Sequence, residues 1–147
     1  MADRITVTLH ELVATMDEYA DAHLRRHHGV SYNLFEFLAA LVERAPLDIS
    51  QLARCLRVTK AAVSKRVPGL VADGWVRATP AGGRRVELAP TATAMALVQA
   101  AGGELDAEFA AVFAETPPMD SASTVSIAAL NARLGDLTRV LEQKERP

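Results

Sequence analysis

The chain has 147 residues with 16 Lys and Arg against 18 Asp and Glu, a net charge of −2; half of it is apolar and only 5% is aromatic. That length buries a real core without staples, and Ala and Leu in excess over aromatics point to a mostly α fold rather than a β sandwich. Cys55 is the only cysteine, which excludes an intrachain disulfide and a cysteine-built zinc site, and no run of about 18 apolar residues offers a membrane span, so a soluble, cytoplasmic protein is expected.

From residue 6 to 28, Leu9, Leu12, Val13, Met16, Tyr19, Ala20, His23 and Leu24 fall at three-and-four spacing, one apolar stripe on a helix. "GVSY" interrupts it, and Ser31 can cap a second helix. Leu34, Phe35, Phe37, Leu38, Leu41 and Val42 make that helix largely buried until it stops near "RAPLD". After Pro46, Asp48 or Ser50 caps a short helix bearing Ile49, Leu52, Ala53 and Leu56; "RVT" then turns, and Thr59 caps the helix starting at Lys60. Two short helices across a three-residue turn are a helix-turn-helix. In the second of them Val63, Val67 and Leu70 face inward, so Ala61, Ser64, Lys65 and Pro68 share an outward face that is small and polar where it would enter a major groove.

Pro68 and Gly69 interrupt that pattern. Proline inside a helix costs about 3 kcal/mol, glycine about 1, and the residue before proline is pushed toward extended backbone. The expectation is a kink or break near residue 67, a short second turn from Gly69 to Asp73, and an altered docking angle beyond the first two turns.

"WVRAT" and "RRVEL", separated by "PAGG", predict a hairpin, which makes the module a winged helix. From Pro90 a long helix carries Met95, Leu97, Val98, Leu105, Phe109 and Phe113, with a bend expected at Gly102 and Gly103. Beyond "ETPPMDS", Ile127, Leu130, Leu134, Leu137 and Leu141 alternate steps of three and four, a heptad seam. The first and last segments thus offer more apolar surface than a small winged helix can cover, which predicts a homodimer. The expected organisation is an N-terminal dimerisation helix over 1–30, a winged helix-turn-helix over 31–90 and C-terminal helices over 91–147 that complete the dimerisation domain.

Charge is segregated along the chain. Arg54, Arg57, Lys60, Lys65, Arg66, Arg77, Arg84 and Arg85 stand against Asp73 alone, a local +7 that leaves −9 for the remainder. A basic middle between acidic arms is the footprint of a nucleic-acid-binding module on a non-binding scaffold.

The stretch "LDISQLARCLRVTKAAVSKRV…LVADGWVRAT…RRVEL" resembles the MarR family of bacterial transcription regulators, and the order of elements follows that family over nearly the whole chain. The resemblance implies a homodimer that binds double-stranded DNA as a repressor and is released by a small aromatic ligand, with no cofactor. Thr59, Lys60, Ala61, Ser64, Lys65 and Arg66 on the recognition helix are the expected DNA contacts, with Arg84 and Arg85 reaching the minor groove from the wing. His28, Tyr32, Phe35 and Met95 are the candidates to border the ligand cleft. Departures from the pattern stand at Arg66, Pro68 and Gly69, at "LAPTA", and at Gly83, where an aspartate is expected to steady the wing arginine; the wing is also about two residues short. The competing reading is a MarR-like scaffold with weakened DNA binding that serves as a ligand-binding or protein-interaction dimer.

Other features carry less. His23 and His27 have a metal-compatible spacing, yet without HExxH, a cysteine or a histidine beyond the first helix no metal site is expected. Cys55, between Arg54 and Arg57, reads as a packing thiol before a redox sensor. No nucleophile motif, Gly-rich loop or paired carboxylates point to an enzyme.

Overall fold

A computed structural model describes residues 4–115 and 126–145. In chain order these form α1 (Ile5–His28), α2 (Tyr32–Arg44), β1 (Leu47–Asp48), α3 (Ile49–Leu56), α4 (Lys60–Ala72), β2 (Val76–Pro80), β3 (Val86–Pro90), α5 (Ala92–Glu115) and α6 (Ile127–Glu145). The mostly α winged helix is as the sequence predicts. The chain divides into two compact units, Met1–Leu105 and Asp106–Pro147. No described helix is long and apolar enough to cross a membrane.

Most helix starts are set by local polar chemistry. The Ser31 hydroxyl accepts from the Leu34 N–H at 3.1 Å, and the Thr59 hydroxyl from the Ala62 N–H at 3.1 Å. Of the two candidates for α3 it is Asp48 that caps, taking the Gln51 N–H at 2.8 Å while the Gln51 side chain accepts the Asp48 N–H at 2.9 Å, a reciprocal capping box. Asp21 ties α1 to the next helix: one carboxylate oxygen accepts the Tyr32 N–H at 2.8 Å and the other pairs with Arg25. Those bonds, Arg25 first, hold the Asp21 carboxyl below its ordinary range.

The sheet contains a strand that the sequence pattern does not reveal. β1 pairs antiparallel with β3 through Leu47 opposite Leu88 and Asp48 opposite Glu87, and β2 pairs with β3 from Val76 opposite Pro90 to Pro80 opposite Val86. The hairpin strands also lie slightly later than "WVRAT" and "RRVEL" imply, so Arg84 and Arg85 sit in the turn and not on a strand. Gly82 and Gly83 adopt φ of 93° and 57°, the left-handed backbone of a tight turn, and the Arg85 N–H closes it on the Gly82 carbonyl at 3.1 Å.

The core of the first unit gathers Phe37, Leu38 and Leu41 of α2, Leu52 and Ala53 of α3, Val63, Val67 and Leu70 of α4, and Leu47, Val76 and Leu88 from the three strands. This core overturns the expected break in α4, which runs unbroken through Pro68 and Gly69 to Ala72. Burying Val63, Val67 and Leu70 is worth roughly 1.5–3 kcal/mol each, more in sum than the penalties of about 3 and 1 for proline and glycine. Pro68 and Ser64 both lie on the exposed face, so the Ser64 carbonyl that loses its partner is left to water. The last turn closes again beyond the proline, with the Asp73 N–H on the Gly69 carbonyl at 2.9 Å and the Trp75 N–H on the Leu70 carbonyl at 2.9 Å.

α5 is likewise unbroken through Gly102 and Gly103. Thr91, which the sequence reading passed over, anchors its start: the hydroxyl accepts the Ala94 N–H at 3.2 Å and donates to the Gly74 carbonyl at 2.7 Å, joining the end of α4 to the beginning of α5. In the second unit Ile127, Leu130, Leu134, Leu137 and Leu141 of α6 stand 36–55% exposed, along one seam of the helix.

Pro68→Ala restores a backbone donor to α4, at the expense of some stiffness that proline lends the unfolded chain. It is expected to stabilise the protein by about 2 kcal/mol, read as a higher urea midpoint at unchanged m-value. No gain would show that α4 does not need the Ser64 carbonyl satisfied.

Candidate nucleic-acid interface

The turn between α3 and α4 closes through Arg57, whose left-handed backbone (φ 55°) lets its N–H reach the Ala53 and Arg54 carbonyls. Thr59 then starts α4 with its side chain committed to the cap. Lys60, Ala61, Ser64 and Lys65 follow on the exposed face, and neither lysine has a side-chain partner among the described residues. Two uncommitted ammonium groups beside small side chains form a surface that a backbone phosphate can approach without displacing an ion pair.

Arg66 is placed differently from its neighbours. Its guanidinium lies 4.8 Å from the centroid of the Phe37 ring, and the side chain lines a cleft of 230 Å³ with Asn33, Glu36, Val58 and Ala62. Burial pushes its pKa down against the opposing charge of Glu36. The cation therefore packs α4 against α2, on the Val63 side of the helix, and does not share the face of Lys60, Ser64 and Lys65.

At the wing, Arg84 is exposed with no partner among the described residues, whereas Arg85 reaches Asp48 at 3.3 Å. Gly83 has no carboxylate to offer, and its left-handed backbone is a conformation that side-chain-bearing residues rarely adopt. The brace for the wing arginine comes instead from the α3 cap. One Asp48 oxygen caps the helix and the other holds Arg85, and the cap bond from Gln51, aided by the charge of Arg85, keeps the carboxyl below its ordinary range. The sequence reading missed this role because the two residues lie 37 positions apart.

The four proposed cleft residues are arranged unevenly. Tyr32 and Phe35 stack with ring centroids 6.5 Å apart, and the Phe35 ring lies against α5 beside Gly102. Tyr32 borders an open cleft of 560 Å³ lined also by Asp17, Glu18, Asp21 and Arg25. Burial, then the charges of Asp17 and Glu36, push its phenol up to about 12. Met95 is exposed on α5. His28 turns to Glu104 on α5, its Nε2 lying 2.8 Å from the carboxylate, and His23 meets the same oxygen at 3.0 Å. Those two imidazoles hold the Glu104 carboxyl below its ordinary range. Cys55 is half-buried and accepts from Arg44 at 3.1 Å.

Residues 28–85 match the model of the MarR family. Comparison with curated proteins gives no match. Among solved structures the chain is similar to Streptococcus pneumoniae FabT in complex with DNA, at 18% identity and a TM-score of 0.75, covering 99% of this chain and 100% of that one. It is also similar to the Staphylococcus aureus MepR–DNA complex, at 18% identity and a TM-score of 0.71 over 95% and 97% of the two chains. A third likeness is to Staphylococcus aureus MarR in complex with salicylate and kanamycin, at 13% identity and a TM-score of 0.78 over 98% and 93%.

The double duty of Asp48 separates two variants. Asp48→Ala is expected to lower the melting temperature at neutral pH, while Asp48→Asn, an equally good cap that cannot hold Arg85 as an ion, leaves most of it. Because the folded-state pKa of Asp48 is depressed, the part of the wild-type advantage that needs the ionised carboxylate, read as the gap to Asp48→Asn, is full above the unfolded carboxylate value of about 3.9 and disappears as pH falls through the folded value. Melts of the three proteins between pH 7 and pH 2 check this, and a gap that persisted at the acid end would remove Asp48 ionisation from the account.

Proposed function

We propose that the chain, a winged helix whose residues 28–85 match the MarR family model, is a sequence-specific DNA-binding transcription regulator that acts as a homodimer, most simply a cytoplasmic repressor. The observation that carries this reading is the exposed Lys60 and Lys65 on the first two turns of a capped and unbroken α4, with Arg84 exposed on the wing, none of the three having a side-chain partner among the described residues. Lys60, Ala61, Ser64 and Lys65 meet the major groove, with the Thr59 backbone beside them, while Arg84 and the braced Arg85 reach toward the minor groove. Arg66 supports the helix from behind. Solved relatives of the same fold in complex with DNA support the reading.

Dimerisation is the part that the exposed apolar seam of α6 and the exposed Ile5, Leu12, Val13 and Tyr19 of α1 support. A monomer in water would leave those side chains uncovered, whereas a second copy buries them and sets the spacing of two recognition helices on one face of DNA. Release by a small aromatic ligand has its support in the stacked Tyr32 and Phe35 against α5 and in the related fold solved with salicylate. Such a ligand acts by favouring a dimer whose helices are wrongly spaced.

Binding of the purified protein to a library of genomic fragments at low and near-physiological salt tests the proposal. Selective retention that weakens steeply with salt is expected. In the dimer, Lys60→Ala with Lys65→Ala should reduce the slope of log affinity against log salt by about 3 to 4, since each lost phosphate contact removes about 0.9. Retention absent at every salt would leave the scaffold reading, a ligand-binding or protein-interaction dimer. Light scattering addresses the assembly: Leu130→Glu with Leu137→Glu should convert a dimer into a monomer, and a mass unchanged by that pair would take α6 out of the interface.

A further inference from the structure

We infer that His23 and His28 of α1 and Glu104 of α5 form a binding site for a divalent transition-metal ion of the zinc type. Their three ligand atoms, two imidazole nitrogens and a carboxylate oxygen, all lie within 4.8 Å of one another. An ion bound tetrahedrally at 2.0–2.1 Å from each holds its ligands about 3.3 Å apart. The two contacts to Glu104, 3.0 and 2.8 Å, and the limit of 4.8 Å on the third separation bracket that value.

The backbone explains why these residues converge. His23 and His28 are five apart, not the four of a regular metal-binding helix pair, but α1 ends at His28 and Gly29 turns left-handed at φ 67°. The final side chain is thereby free to swing toward α5. His27, at the spacing that would attract attention in the sequence, lies with its ring centroid 4.5 Å from that of His23 and outside the cluster.

Exposure also fits a site with open coordination positions. The two histidine side chains are only 14% and 17% exposed, while Glu104 is 46% exposed. Two inward nitrogens and one carboxylate at the rim hold an ion on one side and leave water on the other. Two nitrogens and one oxygen select borderline metals such as zinc, nickel or copper over calcium and magnesium, which take oxygen ligands. The ion would clamp the end of α1 to α5, two helices that meet here through side chains far apart in sequence.

The test uses the full chain, stripped with chelator and freed of any affinity tag, with zinc titrated against a chromogenic competitor. One equivalent per chain is expected, with a rise in melting temperature, since the ion binds the folded arrangement. His28→Gln and Glu104→Gln should each weaken binding at least about tenfold, the smallest loss usual when even an outer partner of a metal is removed. His27→Gln and Cys55→Ser should leave it unchanged. Because Glu104 is at the surface, its variant keeps the measurement valid even if a histidine variant fails to fold, and circular dichroism reports which do. No competition for zinc would overturn the site, as would affinity unmoved by both Glu104→Gln and His28→Gln, or sulfur scattering in the X-ray absorption of the bound ion.

Discussion

Burial of one face of α4 is the constraint on which the rest of the winged helix depends. Val63, Val67 and Leu70 descend into a core to which α2, α3 and all three strands contribute, so α4 cannot be broken after its second turn without uncovering several elements together. Proline is tolerated at position 68 for that reason, and because it falls on the opposite, exposed face where a carbonyl without a partner can turn to water. The same burial orients the outer face. Lys60, Ser64 and Lys65 are held outward as a unit, and Arg66, one residue further round, is drawn onto Phe37.

Polar chemistry then places the parts that the core cannot. Asp48 joins three of them: its backbone pairs in β1 with Glu87, one carboxylate oxygen starts α3, and the other restrains a wing arginine. Thr91 links the end of α4 to the start of α5 in the same economical way. Such contacts are individually modest, typically about 1 kcal/mol, but they fix orientation where apolar packing is indifferent to direction. A wing that turns on two left-handed glycines carries no acidic brace of its own, and the α3 cap supplies one.

The separation of charge has a physical consequence for a chain of net −2. The segment from Arg54 to Arg85 carries +7 and the remainder −9, so a polyanion is attracted to the helix-turn-helix and wing and repelled by the arms. Orientation on approach is thereby biased before any short-range contact forms, at distances within about one Debye length. Net charge alone hides this segregation.

The features legible in the sequence are those written within a few residues. Ser31, Asp48 and Thr59 cap their helices because a cap spans three residues, and the stripes of α1, α2 and α6 repeat within a helix turn. The resemblance of residues around the helix-turn-helix and strand opening carried the fold as well. Tertiary structure decided the rest. β1 is two residues long and exists only through a partner strand 40 residues away; the course of α4 past Pro68 depends on what its buried face meets; the direction of Arg66 depends on a ring in α2; and His28 and Glu104 converge across 76 residues. Local spacing determines which elements can form and which faces they expose, whereas the competition between a local penalty and a shared core, and the meeting of distant polar groups, is settled only when the chain has packed.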